Sequence, residues 1–187
     1  MRVCIVSDSH DRADALAQAV REAKADGAQA VIHCGDLIGM HTLEPLLALG
    51  LALHLVHGNN VGDTMALVRK GAASGGVLRY HGAEADFTLA GRRVFVSHFP
   101  HLARGMACTG DYDLVCNGHE HKAKIESIAN VKGGTTLRLD PGTVAGIGSK
   151  PTYILGDLER MEFEIRDVPA EDIPADLLMR VEDVLFD

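Results

Sequence analysis

Tryptophan is absent from this 187-residue chain and aromatic residues make up only 4% of it, so the core must be built from Val, Ile, Leu and Ala. No apolar run reaches the roughly 18 residues that a membrane-spanning helix needs. The N-terminus, MRVCIVSDSH, turns polar after one short apolar run, which fits neither a signal peptide nor an anchor, and no membrane association is expected. The four cysteines, Cys4, Cys34, Cys108 and Cys116, form no C-x-x-C pair. They read as reduced, mostly buried thiols of a cytoplasmic protein, not as disulfides or a cysteine-zinc site. Neither a G-x-x-x-x-G-K-[ST] loop nor a G-x-G-x-x-G turn is present, which disfavours nucleoside triphosphate and dinucleotide binding. The stretch Gly146–Lys150 resembles the former only superficially. Basic residues are also scarce, with 18 Lys and Arg against 26 Asp and Glu and a net charge of −8. That balance argues against an extended nucleic-acid surface, which needs clustered cations to neutralise phosphates. It does not argue against a small phosphorylated substrate, because bound divalent cations would reverse the local field.

What is present suits one domain spanning residues 1–187. Residues 2–7 read as a buried strand, followed by the polar loop DSHDR. Leu16, Ala19, Val20 and Ala23 have helical spacing and predict a helix over 13–26, with Gly27 just past its end. Strands are expected at 30–34 and 51–57, and helices at about 42–49 and 62–71. This β-α-β alternation implies parallel strands joined by right-handed crossovers. The second half is richer in strands, expected at 77–81, 85–90, 93–97, 113–117, 124–128, 135–139, 152–157 and 161–167. Gly91-Arg92 reads as a hairpin turn, the Gly-rich stretches 71–76 and 142–148 as loops, and 175–185 as a closing amphipathic helix. Together these predict an α/β fold of two mixed β-sheets packed as a sandwich and flanked by helices.

Several expected strands end in polar residues that can bind metal. In order these are Asp8-Ser9-His10, Gly35-Asp36, Gly58-Asn59, Ser97-His98 and Gly118-His119-Glu120-His121. Each is weak alone, since Gly-Asp and Gly-Asn are common turns. Ligands collect at the carboxyl ends of strands in open α/β sheets, so five such loops in series should converge. Imidazole suits Zn, Fe and Ni, whereas carboxylate and amide oxygens suit harder ions such as Mn. A mixed nitrogen and oxygen set with a shareable carboxylate is what two ions about 3.5–4 Å apart would require. His33, His54 and His81 lie in or beside strands and read as structural. His57 abuts the candidate site and could support it. Glu120, between two candidate ligands, should face away.

The series DSH, GD, GN, SH and GHEH resembles the calcineurin-like metallophosphoesterases. In length and order the chain is most similar to that family's small bacterial and archaeal phosphodiesterases, which share their fold with a retromer scaffold subunit. Asp140-Pro141-Gly142-Thr143 is similar to the family's late N-P-G-S stretch. The resemblance implies a calcineurin-like fold and two divalent metal ions, with Mn favoured and Ni, Fe, Zn or Co compatible. Asp8, His10 and His121 would bind one ion, Asn59, His98 and His119 the other, and Asp36 both. Asp36, Asn60 and His98 are the catalytic candidates, and Asn60, His41 and His101 the substrate contacts. The implied activity is hydrolysis of phosphodiesters, and of phosphomonoesters as well, by a hydroxide bridging the metals, without a Ser or Cys nucleophile. Two departures stand out. Larger relatives place a proton-donating His after the ligand Asn, where this chain has Asn60, and relatives often read T-H-G-H where this chain has Ser97-His98-Phe99-Pro100-His101. Two other readings are a catalytically weak protein-binding scaffold and a metal-dependent nuclease of the same fold. Assembly into a homo-oligomer is compatible with the sequence.

Overall fold

The computed structural model describes residues 1–169, so the expected helix at 175–185 lies outside the described residues. The first half alternates as expected. It runs β1 (Arg2–Val6), α1 (Ala13–Ala25), β2 (Ala28–His33), α2 (Met40–Leu47), β3 (Ala52–Leu55), α3 (Thr64–Ala73) and β4 (Leu78–Tyr80). The second half contains β5 (Glu84–Leu89), β6 (Arg92–Ser97), α4 (Pro100–Thr109), β7 (Leu114–Cys116), β8 (Lys124–Ala129), β9 (Thr135–Asp140), β10 (Thr152–Asp157) and β11 (Glu162–Asp167). Among the described residues no helix is long and apolar enough to cross a membrane.

Two mixed sheets result. The first has the order β11-β10-β1-β2-β3-β4, with β1 to β4 parallel, β10 antiparallel to β1, and β11 antiparallel to β10. The second has the order β5-β6-β7-β9-β8, with β6, β7 and β9 parallel and the outer strands antiparallel. Strand side chains alternate between faces, and β1 uses both. Val3 and Ile5 point between the sheets, packing with Ile32, Val94, Leu114 and Ile154. Cys4 and Val6 point the other way, into the cluster with Leu16, Val20 and Leu43 from α1 and α2. Helix α4 covers the outer face of the second sheet, burying Ala103 and Ala107 against Phe95 and Val115. The layers are therefore helices, sheet, sheet and helix. A core of aliphatic side chains suffices, since each fully buried Ile or Leu contributes about 1.5–3 kcal/mol.

Three local expectations are corrected. The hairpin turn is Ala90-Gly91, not Gly91-Arg92. Both residues have positive φ (50° and 78°), the backbone that matches the twist of flanking strands, and Arg92 already pairs with Leu89. The Gly-rich stretch from 71 is not all loop, because α3 runs through Ala73. Helix α4 was not anticipated. It buries only Ala103 and Ala107 and carries Gly105 in its interior, so its apolar pattern is faint. Pro100 opens it and Gly110, at φ 70°, closes it.

Candidate functional site

All seven predicted ligands lie just beyond the carboxyl ends of parallel strands. Asp8 and His10 follow β1, Asp36 follows β2 and Asn59 follows β3 in the first sheet. His98 follows β6, and His119 and His121 follow β7, in the second. Because β1, β2 and β3 are neighbours, as are β6 and β7, packing the sheets face to face brings the two sets of loops together.

The side chains meet at hydrogen-bonding distances. His121 Nε2 lies 3.0 Å from Asp8 Oδ1, and the His119 N–H donates to Asp8 Oδ2 at 3.0 Å. Asn59 Oδ1 lies 3.1 Å from His98 Nε2 and 2.9 Å from His119 Nδ1. His98 Nε2 is 3.6 Å from Asp36 Oδ1 and 4.0 Å from Asp8 Oδ1. Among the described residues two groups emerge, Asp8 with His10 and His121, and Asp8 with Asp36 and His98, each with its ligand atoms within 4.8 Å of one another. Asp8 is common to both groups.

Hydrogen bonds settle which ring nitrogens are free. A backbone carbonyl can only accept, so His98 Nδ1–H donates to Cys34 O at 2.9 Å, and His121 Nδ1–H donates to Ile147 O at 2.9 Å. In a neutral ring this leaves Nε2 with a lone pair. The Nε2 of His98 faces oxygens of Asn59, Asp36 and Asp8, and that of His121 faces Asp8. These are acceptors facing acceptors, an arrangement that a cation relieves. Among the described residues the Nε2 of His10 is buried without a partner, which is costly for a polar atom unless something else binds it. The donor set therefore fits divalent cations, and a ligand His held by a backbone carbonyl through its other nitrogen is a recurrent metal-site feature.

The backbone here is strained. Asp8 (φ 52°), His10 (45°), Asp36 (56°), His119 (77°) and His121 (55°) all occupy the left-handed region. Each such non-glycine residue costs about 1–3 kcal/mol and persists only where surrounding contacts hold it. Those contacts are visible. Asp8 N donates to Gly35 O (3.0 Å), His10 N to Asp36 O (2.8 Å) and Thr143 Oγ1 to Asp8 O (2.9 Å). The glycines preceding the ligands are needed for space. A Cβ on Gly118 would collide with Ser7 Oγ and sit 2.6 Å from Asp8 Oδ2, and one on Gly58 would collide with Asp36 Oδ1.

Asn60 is turned toward Asp36. Its backbone N–H donates to Asp36 Oδ1 at 2.9 Å and its amide to Oδ2 at 2.6 Å. Burial alone would raise the Asp36 carboxyl, but these two donors and nearby imidazoles outweigh it and hold the pKa below its ordinary value. His41 and His101 are exposed; His41 pairs with Asp11 at 3.7 Å, and His101 lies 5.9 Å from the Phe99 ring. His57 hydrogen-bonds the Tyr80 hydroxyl. The Glu120 side chain pairs with Arg138 at 3.0 Å and makes no hydrogen bond or ion pair with the candidate ligands among the described residues. Two contacts to His121 had no readable signal in the sequence: the Ile147 carbonyl, and Ser149 Oγ, which donates to His121 O.

Two buried histidines make a pH prediction. Gly35 N donates to His33 Nδ1, so His33 Nε2–H donates to Ser9 Oγ. Burial, reinforced by His98, pushes this ring down to about 3. Burial, then His81 and Arg79, pushes His54 down to about 4. As pH falls from 6.5 toward 4, the unfolded chain takes up protons at these positions that the folded chain refuses. The unfolded state then binds more protons, so folding stability drops with falling pH. His54 packs on Phe87 with ring centroids 4.0 Å apart, so His54→Phe keeps the apolar contact. Its thermal midpoint should fall less than wild type between pH 7 and 4.5; parallel curves would show that His54 plays no part.

A family model described as a calcineurin-like phosphoesterase superfamily domain matches residues 1–161. A phosphodiesterase of Methanocaldococcus jannaschii is 27% identical over 169 residues, covering 87% of this chain and 96% of the relative. Among solved structures, a novel archaeal phosphodiesterase superposes with a TM-score of 0.80 at 22% identity, covering 89% of this chain and 99% of that one. The phosphoesterase YfcE of E. coli gives 0.60 at 17% identity, covering 90% and 100%. Vps29 of Entamoeba histolytica gives 0.59 at 16% identity, with the same coverage.

Proposed function

The chain belongs to the calcineurin-like phosphoesterase superfamily, and from that membership we propose that it is a dinuclear metal-dependent phosphoesterase acting on phosphodiesters. One observation carries the reading. The Nε2 lone pairs of His98 and His121, fixed by Nδ1–H bonds to the carbonyls of Cys34 and Ile147, are aimed at oxygens that cannot donate to them.

In this reading Asp8, His10 and His121 would hold one ion and Asn59, His98 and His119 the other, with Asp36 shared between them. Divalent ions bound there would supply positive charge at the phosphoryl oxygens and make water acidic enough to act near neutral pH. The protein's own contribution is positional. The sandwich fixes the ligands before substrate arrives, so little reorganisation is needed as charge develops. Asn60 holds both oxygens of Asp36. No residue of the site needs to form a covalent bond with phosphorus. The scaffold alternative is not favoured, because all seven positions carry groups able to bind metal and they converge.

Purified protein reconstituted with Mn²⁺ should hydrolyse bis(4-nitrophenyl) phosphate, and metal-stripped protein should not. A chain that binds no metal and turns over no phosphodiester would overturn the reading. The leaving group gives a sharper test. Asn60 stands where larger relatives place an acid, and an amide cannot transfer a proton at neutral pH. General acid catalysis contributes about 10²–10⁴-fold, more for basic leaving groups. Turnover should therefore fall steeply from nitrophenyl to alkyl esters, and Asn60→His should flatten the slope. A shallow slope in wild type would mean that another group, with His101 or His41 first, supplies the proton.

A further inference from the structure

Arg138 is buried in the second sheet, only 4% exposed, on the strand-β9 face turned away from the sandwich interior. Leu137 and Leu139, on either side of it, point between the sheets. Its cross-strand neighbour is Glu126, which accepts from Nη1 at 2.6 Å and pairs with Lys124 and Arg104 as well, at 3.0 and 3.7 Å. The guanidinium makes two more bonds, both toward the segment after β7. Nε donates to Asn117 Oδ1 at 2.8 Å and Nη2 to Glu120 Oε2 at 3.0 Å.

Both recipients control the turn that carries two candidate ligands. Arg138 can only donate, which fixes Asn117 with its oxygen toward the guanidinium. The Asn117 amide then donates to Gly118 O at 2.9 Å and to Asp140 Oδ2 at 2.8 Å. Glu120 lies between His119 and His121, both in the left-handed region. The turn is held at its backbone by Asp8, which accepts from the His119 N–H, and by Ser149, which donates to the His121 carbonyl, and Glu120 adds a side-chain bond to Arg138 between them. A planar fork bonded to three different side chains is a role that lysine, a single flexible point charge, cannot fill.

We propose that Arg138 is a positioning residue, which through Glu120 and Asn117 holds the His119-Glu120-His121 turn in the shape that aims both imidazoles at the metal site. This rests on the metal-binding reading above. Calorimetric titration of Mn²⁺ into metal-free protein tests it directly. Glu120→Ala changes a half-exposed side chain (48%), so the fold should survive. It should weaken Mn²⁺ binding by about 10-fold, the low end for loss of an outer partner of a metal ligand. Glu120→Gln keeps an oxygen for Arg138 and should recover most of that loss. Arg138→Lys should weaken binding at least as much. The double variant Glu120→Ala/Arg138→Lys should be no worse than Arg138→Lys alone, as expected for residues acting through one another. Wild-type affinity in Glu120→Ala would overturn the proposal and leave the parent reading standing. So would equal losses in Glu120→Gln and Glu120→Ala, which would mean that charge, not position, matters. A wild-type chain that binds no Mn²⁺ would overturn both.

Discussion

Replacing Asp36 with asparagine should lower phosphodiester turnover by more than about 100-fold. Loss of an outer partner of a metal ligand costs about 10–100-fold, and Asp36 is itself a proposed ligand of both ions. The substitution also removes one acceptor oxygen. Asp36 accepts from Asn60 at both oxygens, and an amide would set a donor against a donor at one of them. The change is nearly isosteric, so thermal stability reports little of this, and metal content per chain reports most of it. Asp8→Asn is the comparison to make. Asp8 Oδ1 is the carboxylate oxygen within reach of both His121 and His98, at 3.0 and 4.0 Å. An Asp36→Asn chain that keeps two ions and near-normal turnover, beside an Asp8→Asn chain that loses both ions, would move the shared ligand to Asp8.

Gly58→Ala should cost a similar amount without replacing any proposed ligand. The added methyl would overlap Asp36 Oδ1 and stand 2.6 Å from both Cγ and Cδ2 of His98. Those atoms belong to buried side chains on different sheets, so at least one ligand must shift. A displacement of about 1 Å is enough to cost about 100-fold in rate, and overpacking a filled interior costs about 1–3 kcal/mol in stability. Turnover and metal content should therefore fall sharply while the thermal midpoint drops by a few degrees. A Gly58→Ala chain with normal activity would mean that the loops yield freely, against the strained, tightly bonded backbone seen here.

The scaffold and the candidate ligands could be read from the chain itself. Buried strands announce themselves as short β-branched runs, and the loops that end them expose chemically distinctive residues, so RVCIVS-DSH and LVCN-GHEH are legible locally. The β-α-β order then constrains which loops are neighbours. Helix α4 escaped because its buried face is two alanines, and the Ala90-Gly91 turn because φ, not composition, defines it. What the sequence could not decide is how each group is aimed. The carbonyls of Cys34 and Ile147, which select the free nitrogens of His98 and His121, are backbone atoms common to every residue. The convergence of Arg138, Glu120 and Asn117, like the reach of Asp8 Oδ1 to histidines 90 and 113 residues away, exists only once the two sheets pack. Hydrogen bonds and ion pairs act over a few ångströms, and which atoms come that close is set by the register of the strands and the distance between the sheets.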